Sequence, residues 1–292
     1  VCAGTPIIKL LTEELAANKV TKIAGMLNGT SNFILSKMEE GADFSSTLQL
    51  AQKEGYAEPD PTFDIEGTDA AHKIGILSSL AYGTSLPPED FYVEGITKVE
   101  KIDFKYAMEM GYTIKHLAVA KFNNGINELR AHPVLISNNS NLANLKSVRN
   151  GIEIETDLLG ALHIAGSGAG QESTASGVIS DLVHLANSNQ SISKNVITKR
   201  KVKFIDFLNL NFKYYFYIEA TDSPGVMASV SSIFSEKKVG IDSIVQKEVQ
   251  KDIVPIVIIT DLVSERNHKE LLTSILNLDS VKIARSIRIE SD

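Results

Sequence analysis

The chain has 292 residues, of which 43% are hydrophobic and 22% charged, with a formal net charge of -7 at pH 7. That apolar content with so modest a charge excludes disorder as the main state, and the acidic balance offers no general basic field for nucleic acid. The single cysteine, Cys2, excludes an intrachain disulfide and any cysteine-based zinc cluster. At roughly 150 residues per domain, the length implies about two domains. No apolar run reaches the roughly 18 residues of a membrane span and no secretory leader pattern is visible, so no membrane partner and a cytoplasmic location are expected. The stretch Val1-Cys2-Ala3-Gly4-Thr5-Pro6-Ile7-Ile8 reads like the interior of a domain, which leads us to expect a segment upstream of Val1.

In chain order, Pro6 suits a first helical position, and Ile7, Ile8, Leu10, Leu11 and Leu15 predict a helix to about Ala17. Val20 to Leu27 reads as a strand closed by an Asn28-Gly29 turn. Thr30 or Ser31 is expected to cap the next helix, and Phe44 to Glu54 predicts another. Two prolines stiffen the loop Gly55 to Pro61, and a helix follows from Thr68 to Tyr82. Strand pairs are predicted over Tyr112 to Ile136, turning at Asn123-Asn124-Gly125, and over Ile152 to Ala165. Gly166-Ser167-Gly168-Ala169-Gly170 then opens a helix to about Ala186. The polar, basic run Asn187 to Lys203 reads as a linker. The remainder alternates: strand Tyr214 to Thr221, helix Gly225 to Lys237, strands Ile241 to Val249 and Ile253 to Asp261, helix His268 to Leu278 and strand Val281 to Ile289. That order, βαββαβ, is ferredoxin-like.

The densest polar set lies between Glu58 and Lys73. Asp69 and Lys73 are four apart on one helix face. A solvated ion pair is the ordinary reading of such a pair. Here positions 69, 73, 76 and 80 carry Asp, Lys, Ile and Leu, and positions 70, 74, 77 and 81 carry Ala, Ile, Leu and Ala. A helix apolar nearly all round is expected to be buried, which puts the charged pair at the rim of a core and facing a cleft. A partly desolvated lysine beside a carboxylate can hold or relay a proton. The stiffened loop presents Glu58 and Asp64 to the same cleft, where carboxylates suit an ammonium or hydroxyl group of a small substrate. The Gly166 to Gly170 loop either cradles an anion or cofactor or is simply a tight turn. The Asp222-Ser223-Pro224-Gly225 loop either holds a ligand carboxylate or is a well-capped connection, with Asp and Ser favouring the cap. The six histidines show no metal-ligand spacing, and Tyr56 and Tyr82 read as packing residues.

The run Gly55-Tyr56-Ala57-Glu58-Pro59-Asp60-Pro61-Thr62-Phe63-Asp64-Ile65-Glu66-Gly67-Thr68-Asp69-Ala70-Ala71-His72-Lys73 resembles the homoserine dehydrogenase family. So do Gly25-Met26-Leu27-Asn28-Gly29-Thr30-Ser31-Asn32-Phe33-Ile34-Leu35, Ala3-Gly4-Thr5-Pro6-Ile7 and the glycine-rich loop, and the similarity covers roughly Val1 to Ala186. From Tyr214 onward the chain is similar to an ACT domain. The resemblance implies an α/β (α+β) chain: a remnant of a Rossmann nucleotide domain (1-19), a mixed-sheet catalytic and dimerisation domain (20-165), a glycine-rich loop and helix returning to the nucleotide domain (166-189), a linker (190-211) and a ferredoxin-like ACT domain (212-292). It implies reduction of L-aspartate 4-semialdehyde to L-homoserine with NAD(P)H in threonine, methionine and isoleucine synthesis. By matching positions, Lys73 donates the proton, and Glu58, Asp64 and Asp69 bind and orient the substrate, with Asp64 and Asp69 also in the catalytic set. Gly168 and Gly170 approach the cofactor, and backbone carbonyls of Val1, Ala3 and Thr5 ligate a sodium ion. Asp222, Ser223, Gly225 and Val226 hold an amino-acid effector, threonine, and the chain forms a homodimer or homotetramer. The family's GxGxxG nucleotide fingerprint would lie upstream of Val1. The alternative is a non-catalytic amino-acid-binding and dimerisation module unable to hold NAD(P)H.

Overall fold

The computed structural model describes residues 1–84, 91–123, 126–187, 203–246 and 252–290. The elements in order are α1 (Ile7–Lys9), β1 (Val20–Met26), α2 (Gly29–Glu39), α3 (Phe44–Lys53), α4 (Thr62–Ile65), α5 (Thr68–Tyr82), β2 (Tyr92–Val93), α6 (Lys101–Glu109), β3 (Tyr112–Asn123) and β4 (Ile126–Ser137). They continue with β5 (Arg149–Thr156), β6 (Gly160–Ser167), α7 (Gln171–Asn187), β7 (Lys203–Phe204), β8 (Asn211–Thr221), α8 (Val226–Glu236), β9 (Ile241–Gln246), β10 (Ile253–Thr260), β11 (Val263–Ser264), α9 (Glu265–Leu276) and β12 (Val281–Ile289). The fold is mixed α/β, in two compact units. The first comprises Val1–Lys101, Lys115–Pro133 and Asn138–Ile205, and the second Ile102–Ile114, Val134–Ser137 and Asp206–Asp292. No helix among the described residues is long and apolar enough to cross a membrane.

In the first unit the strand order is β6-β5-β1-β3-β4. β5 runs antiparallel to β6 and to β1, and β1 antiparallel to β3, whereas β2 and β7 pair parallel with β4. Helix α5 lays Ala70, Ala71, Ile74 and Leu77 against Ile23, Ala118, Ala120, Ile152 and Ile154 to form the core. Its start is set by Gly67, whose φ of 83° only glycine adopts at little cost. A side chain there would also collide with His116 Nε2 and the Glu94 carbonyl. Those two atoms are hydrogen-bonded at 2.9 Å. A carbonyl can only accept, and burial pushes His116 below the usual imidazole range, so the ring is neutral with its proton on Nε2.

Several local expectations are corrected. The first helix is one α-turn, Ile7–Lys9, followed by a π-helical turn, Leu10–Glu14, closed by Leu15 N donating to the Leu10 carbonyl at 2.9 Å. The wider turn still buries Ile7, Leu11 and Leu15 together. The cap of α2 is Asn28, not Thr30 or Ser31: the residue that reads as a turn accepts the Ser31 N–H at 2.7 Å. Helix α5 is not buried all round, since Ile76 is 49% exposed and only the face through residues 70, 74 and 77 is sealed. Gly166 and Ser167 extend β6, so α7 begins at Gln171. The last residue of the polar run, Lys203, forms β7 with Phe204, and β8 begins at Asn211. The cluster Lys199-Arg200-Lys201, the turn residues Asn124 and Gly125 and the end of the strand expected to Val249 lie outside the described residues. Helix α6 was hidden because its apolar positions lack a clean period, yet Asp103, Phe104, Tyr106 and Ala107 are all buried.

The second unit follows the order β8-α8-β9-β10-α9-β12, with the strands arranged β12-β8-β10-β9, all antiparallel. Tyr214, Phe216, Ile218, Val230, Ile256, Ile258, Leu271 and Ile275 fill its core. A charge is buried beside them. Glu265 accepts from Arg288 Nε at 2.9 Å and from Arg288 Nη2 at 2.7 Å, and from the Tyr214 hydroxyl. Burial alone would raise the Glu265 carboxyl, but the Arg288 bonds and charge, with the Tyr214 bond, outweigh it and hold the group below its ordinary value of 4.5. Removing one partner of such a pair strands the other. Arg288→Ala is expected to lower the unfolding free energy by about 3–5 kcal/mol, measured by urea titration. Because the folded carboxyl titrates below 4.5, the pair's contribution is complete above that pH and fades as acid protonates the folded state, so the gap between variant and wild type should narrow in acid.

Candidate active site

Four stretches of the first unit converge on a cavity of about 730 Å³. They are the start of α2, the loop from Glu54 to Asp60, the segment from Phe63 through the first turns of α5, and a far wall made by Val148 and Gly168–Gly170. Its volume lies within the range of small-molecule sites. Five carboxylates line it, Glu54, Glu58, Asp60, Asp64 and Asp69, against one ammonium, Lys73. The cavity therefore favours a cationic group. Asp60 is already engaged: it accepts from Thr62 N at 3.1 Å and Thr62 Oγ1 at 2.6 Å, bonds that hold its carboxyl below the usual range while it braces the entry to α4.

The floor is an ordered polar chain. Lys73 Nζ donates to Asp69 Oδ2 at 2.6 Å and to the Leu27 carbonyl at 2.9 Å. The Lys73 and Asp69 side chains are 24% and 17% exposed, so the pair sits at a rim rather than in open water. Asn28 Nδ2 donates to Asp69 Oδ2 at 2.7 Å and to Asp64 Oδ1 at 2.6 Å. Ser31 Oγ donates to the Asp64 carbonyl at 3.0 Å, and Thr30 Oγ1 to the Tyr56 carbonyl at 2.6 Å, which ties the loop to α2.

The far wall is braced from below. Asn32 Nδ2 donates to the Ser147 and Arg149 carbonyls at 2.8 and 3.1 Å, on either side of Val148. Buried Lys115 donates to the Leu145 carbonyl at 3.1 Å, and burial pushes its ammonium below the usual lysine range. At Gly168 a Cβ would coincide with Asn150 Oδ1, and Gly170 has φ 113°, with the Ser173 hydroxyl oxygen 3.8 Å from where a Cβ would sit. Asn150 Nδ2 reaches Cys2 Sγ at 3.6 Å. Burial raises the Cys2 thiol, only partly offset by the Lys73 charge, so it stays protonated and apart from the chemistry.

Lys73, Asp69, Asp64, Glu58, Gly168 and Gly170 all reach this cavity. Val1, Ala3 and Thr5 are not among its lining residues; Thr5 Oγ1 packs against Gly166 and the Ala3 carbonyl faces Gly177. Asp222, Ser223, Gly225 and Val226 belong to the second unit, at the turn from β8 to α8. There the expected Asp or Ser side-chain cap is absent. Gly225 itself is the N-cap at φ 91°, and Val226 N donates to the Ser223 carbonyl at 3.3 Å. Sequence reading missed Asn28, Thr30, Phe63 and Val148 as lining residues and took Tyr56 for packing; Tyr56 does pack against Phe33, with tilted rings 5.0 Å apart, but stays 41% exposed on the cavity wall. The signal for Asn28 was present, since an Asn-Gly pair before a helix is a capping pattern as well as a turn.

Comparison with known proteins places this geometry. The homoserine dehydrogenase family profile matches residues 6–183. The homoserine dehydrogenase of Pseudomonas aeruginosa is 40% identical over 292 residues, covering 96% of this chain and 67% of that protein. The chain belongs to the homoserine dehydrogenase family. It is an oxidoreductase of that family and spans about two thirds of the length of such relatives. The crystal structure of a homoserine dehydrogenase from Thiobacillus denitrificans superposes with a TM-score of 0.89 at 38% identity, covering 99% of this chain and 68% of that one. A hyperthermophilic archaeal homoserine dehydrogenase in complex with NADPH superposes with a TM-score of 0.55 at 32% identity, covering 65% of this chain and 55% of its own.

The contact between Asn150 and Gly168 yields a test of the wall. Gly168→Ala must displace either the amide or the loop, an overpacking cost of about 1–3 kcal/mol. Thermal melting should fall accordingly and kcat/KM should drop about tenfold or more. A variant that melts within about 1 °C of wild type and keeps kcat/KM within about twofold would show that the wall tolerates displacement.

Proposed function

We propose that this cavity binds L-aspartate 4-semialdehyde, or L-homoserine in reverse, and that Lys73 is its proton donor. One observation carries the reading. Of the three Lys73 N–H donors, two are tied to Asp69 and the Leu27 carbonyl, which leaves one for a ligand in the cavity. Asp64 and Glu58 supply negative charge for the substrate ammonium, and Asp69 fixes the lysine side chain. When bound, NAD(P)H supplies the hydride that reaches the aldehyde carbon. As the carbonyl oxygen gains charge, Lys73 transfers its proton to it, giving the hydroxyl of homoserine; in the oxidation direction the neutral amine takes that proton back. Gly168 and Gly170 lie on the cavity lining and place no side chain there in the path of a flat nicotinamide ring. The NADPH complex of the archaeal relative supports this cofactor choice.

The reading extends to parts outside the cavity. Backbone carbonyls of Val1, Ala3 and Thr5 ligate a sodium ion. In its support, Cys2 and Ala3 adopt φ of 57° and 47°, which non-glycine residues seldom hold in succession. Thr5 O already accepts from Ile7 N at 2.7 Å and keeps one lone pair for an ion. The βαββαβ unit acts as an ACT regulatory domain, with threonine held at Asp222, Ser223, Gly225 and Val226. The enzyme works in the cytoplasm as a homodimer or homotetramer, on the route to threonine, methionine and isoleucine.

Lys73→Ala is expected to abolish turnover in the natural protein while leaving the dinucleotide affinity unchanged. Turnover within about threefold of wild type, a loss below 1 kcal/mol, would remove Lys73 from the proton step. NADPH titration by fluorescence in the presence of homoserine separates the enzyme from the non-catalytic alternative, which predicts no binding. Calorimetry with threonine on the natural protein should show saturable binding that Gly225→Val abolishes; no heat at millimolar threonine would exclude that effector.

A further inference from the structure

We propose that Asn28 is a positioning residue that clamps the two catalytic-site carboxylates side by side. The inference deepens the reading above and rests on it for the identity of the substrate. Asp64 and Asp69 arrive from different elements, and each places an oxygen within hydrogen-bond reach of the same nitrogen, Asn28 Nδ2, at 2.6 and 2.7 Å. Two like charges this close repel, and without a donor between them one or both would swing outward. An NH₂ group has two protons, one for each carboxylate, and lies between them without adding charge.

An amide could turn over and present its oxygen instead, which would oppose both carboxylates. Helix α2 prevents that. Asn28 is its N-cap, and the Ser31 backbone N–H, a pure donor, bonds Asn28 Oδ1 at 2.7 Å. The orientation is therefore dictated by main chain and not by the site itself. Asn28 is 6% exposed, so water competes poorly for any of its three bonds. On Asp69 both donors, Asn28 and Lys73, fall on Oδ2. Oδ1 keeps no hydrogen-bond partner among the described residues and stays open to a ligand. One neutral side chain thus couples the start of α2, the short helix α4 and the lysine that faces the substrate.

Asn28→Asp separates this role from capping. Aspartate caps a helix as well as asparagine does, has the same shape and accepts from Ser31, but offers no proton and adds a third carboxylate. With wild type measured alongside, the clamp predicts that kcat/KM for homoserine falls about 100-fold while KM for the dinucleotide stays within about twofold. A cap alone predicts no change, and activity within threefold of wild type overturns the clamp. Should Asn28→Asp not fold, Asn28→Ser keeps the cap without the extra charge; about a tenfold loss is expected, and again a result within threefold overturns the proposal. Inactivity of the unsubstituted natural protein would instead overturn the substrate reading. The clamp is then decided by thermal unfolding of Asn28→Ser, Asp69→Asn and the double variant. Coupled residues give melting shifts that depart from additivity by about 2 °C or more, and additive shifts overturn the clamp whatever the substrate.

Discussion

One carboxylate oxygen, Asp69 Oδ2, carries the site. It accepts from an ammonium on its own helix and from an amide on another, so its position is defined by α5 and α2 together. Asp69 stands in the first turn of α5, where the helix dipole favours negative charge, and Lys73 lies one turn on, with its side chain 24% exposed. Backbone, dipole and ion pair agree on a single arrangement. The Leu27 carbonyl completes it by taking a second lysine proton just where β1 ends.

The rest of the first unit reads as support for that oxygen. Gly67 lets the chain turn sharply into α5 while lying directly over the His116–Glu94 hydrogen bond, so the helix start is fixed against the sheet. Ile65 is held in turn by Ile96 N, which donates to its carbonyl at 2.8 Å. On the opposite side, Asn32 and Lys115 spend buried donors on the carbonyls of residues 145–149, which would otherwise be a loose connection. Burying an amide and an ammonium is costly unless each is satisfied. Here both donate to main-chain carbonyls, those of Leu145 and Ser147 in the connection and of Arg149 where β5 begins.

Much of this was legible before the structure. The helix Thr68–Tyr82 and the strand Val281–Ile289 appear with the expected bounds because glycines at φ 83° and 63° bracket the helix and because alternation marks the strand. The pairing of Asp69 with Lys73 followed from helical spacing alone. Asn28 was not legible as a bridge, since its two partners are 36 and 41 residues away and only the fold brings them together. Nor could periodicity reveal the π-turn at Leu10–Glu14, where an apolar spacing of four serves a wider turn as well as an α-helix. Ile76 misled for a related reason: hydrophobicity in the sequence does not say on which side of a helix the sheet lies.

Cys2 offers a different use of the same architecture. It is the sole thiol of the chain, it is 1% exposed, and the Asn150 amide lies against its sulfur. An alkylating reagent can reach it only when the opening loop lifts away from β5, so the labelling rate reports how often that loop detaches. This chain, with its one sheltered thiol, is in effect fitted with a clock for its own breathing, readable by mass without disturbing the site.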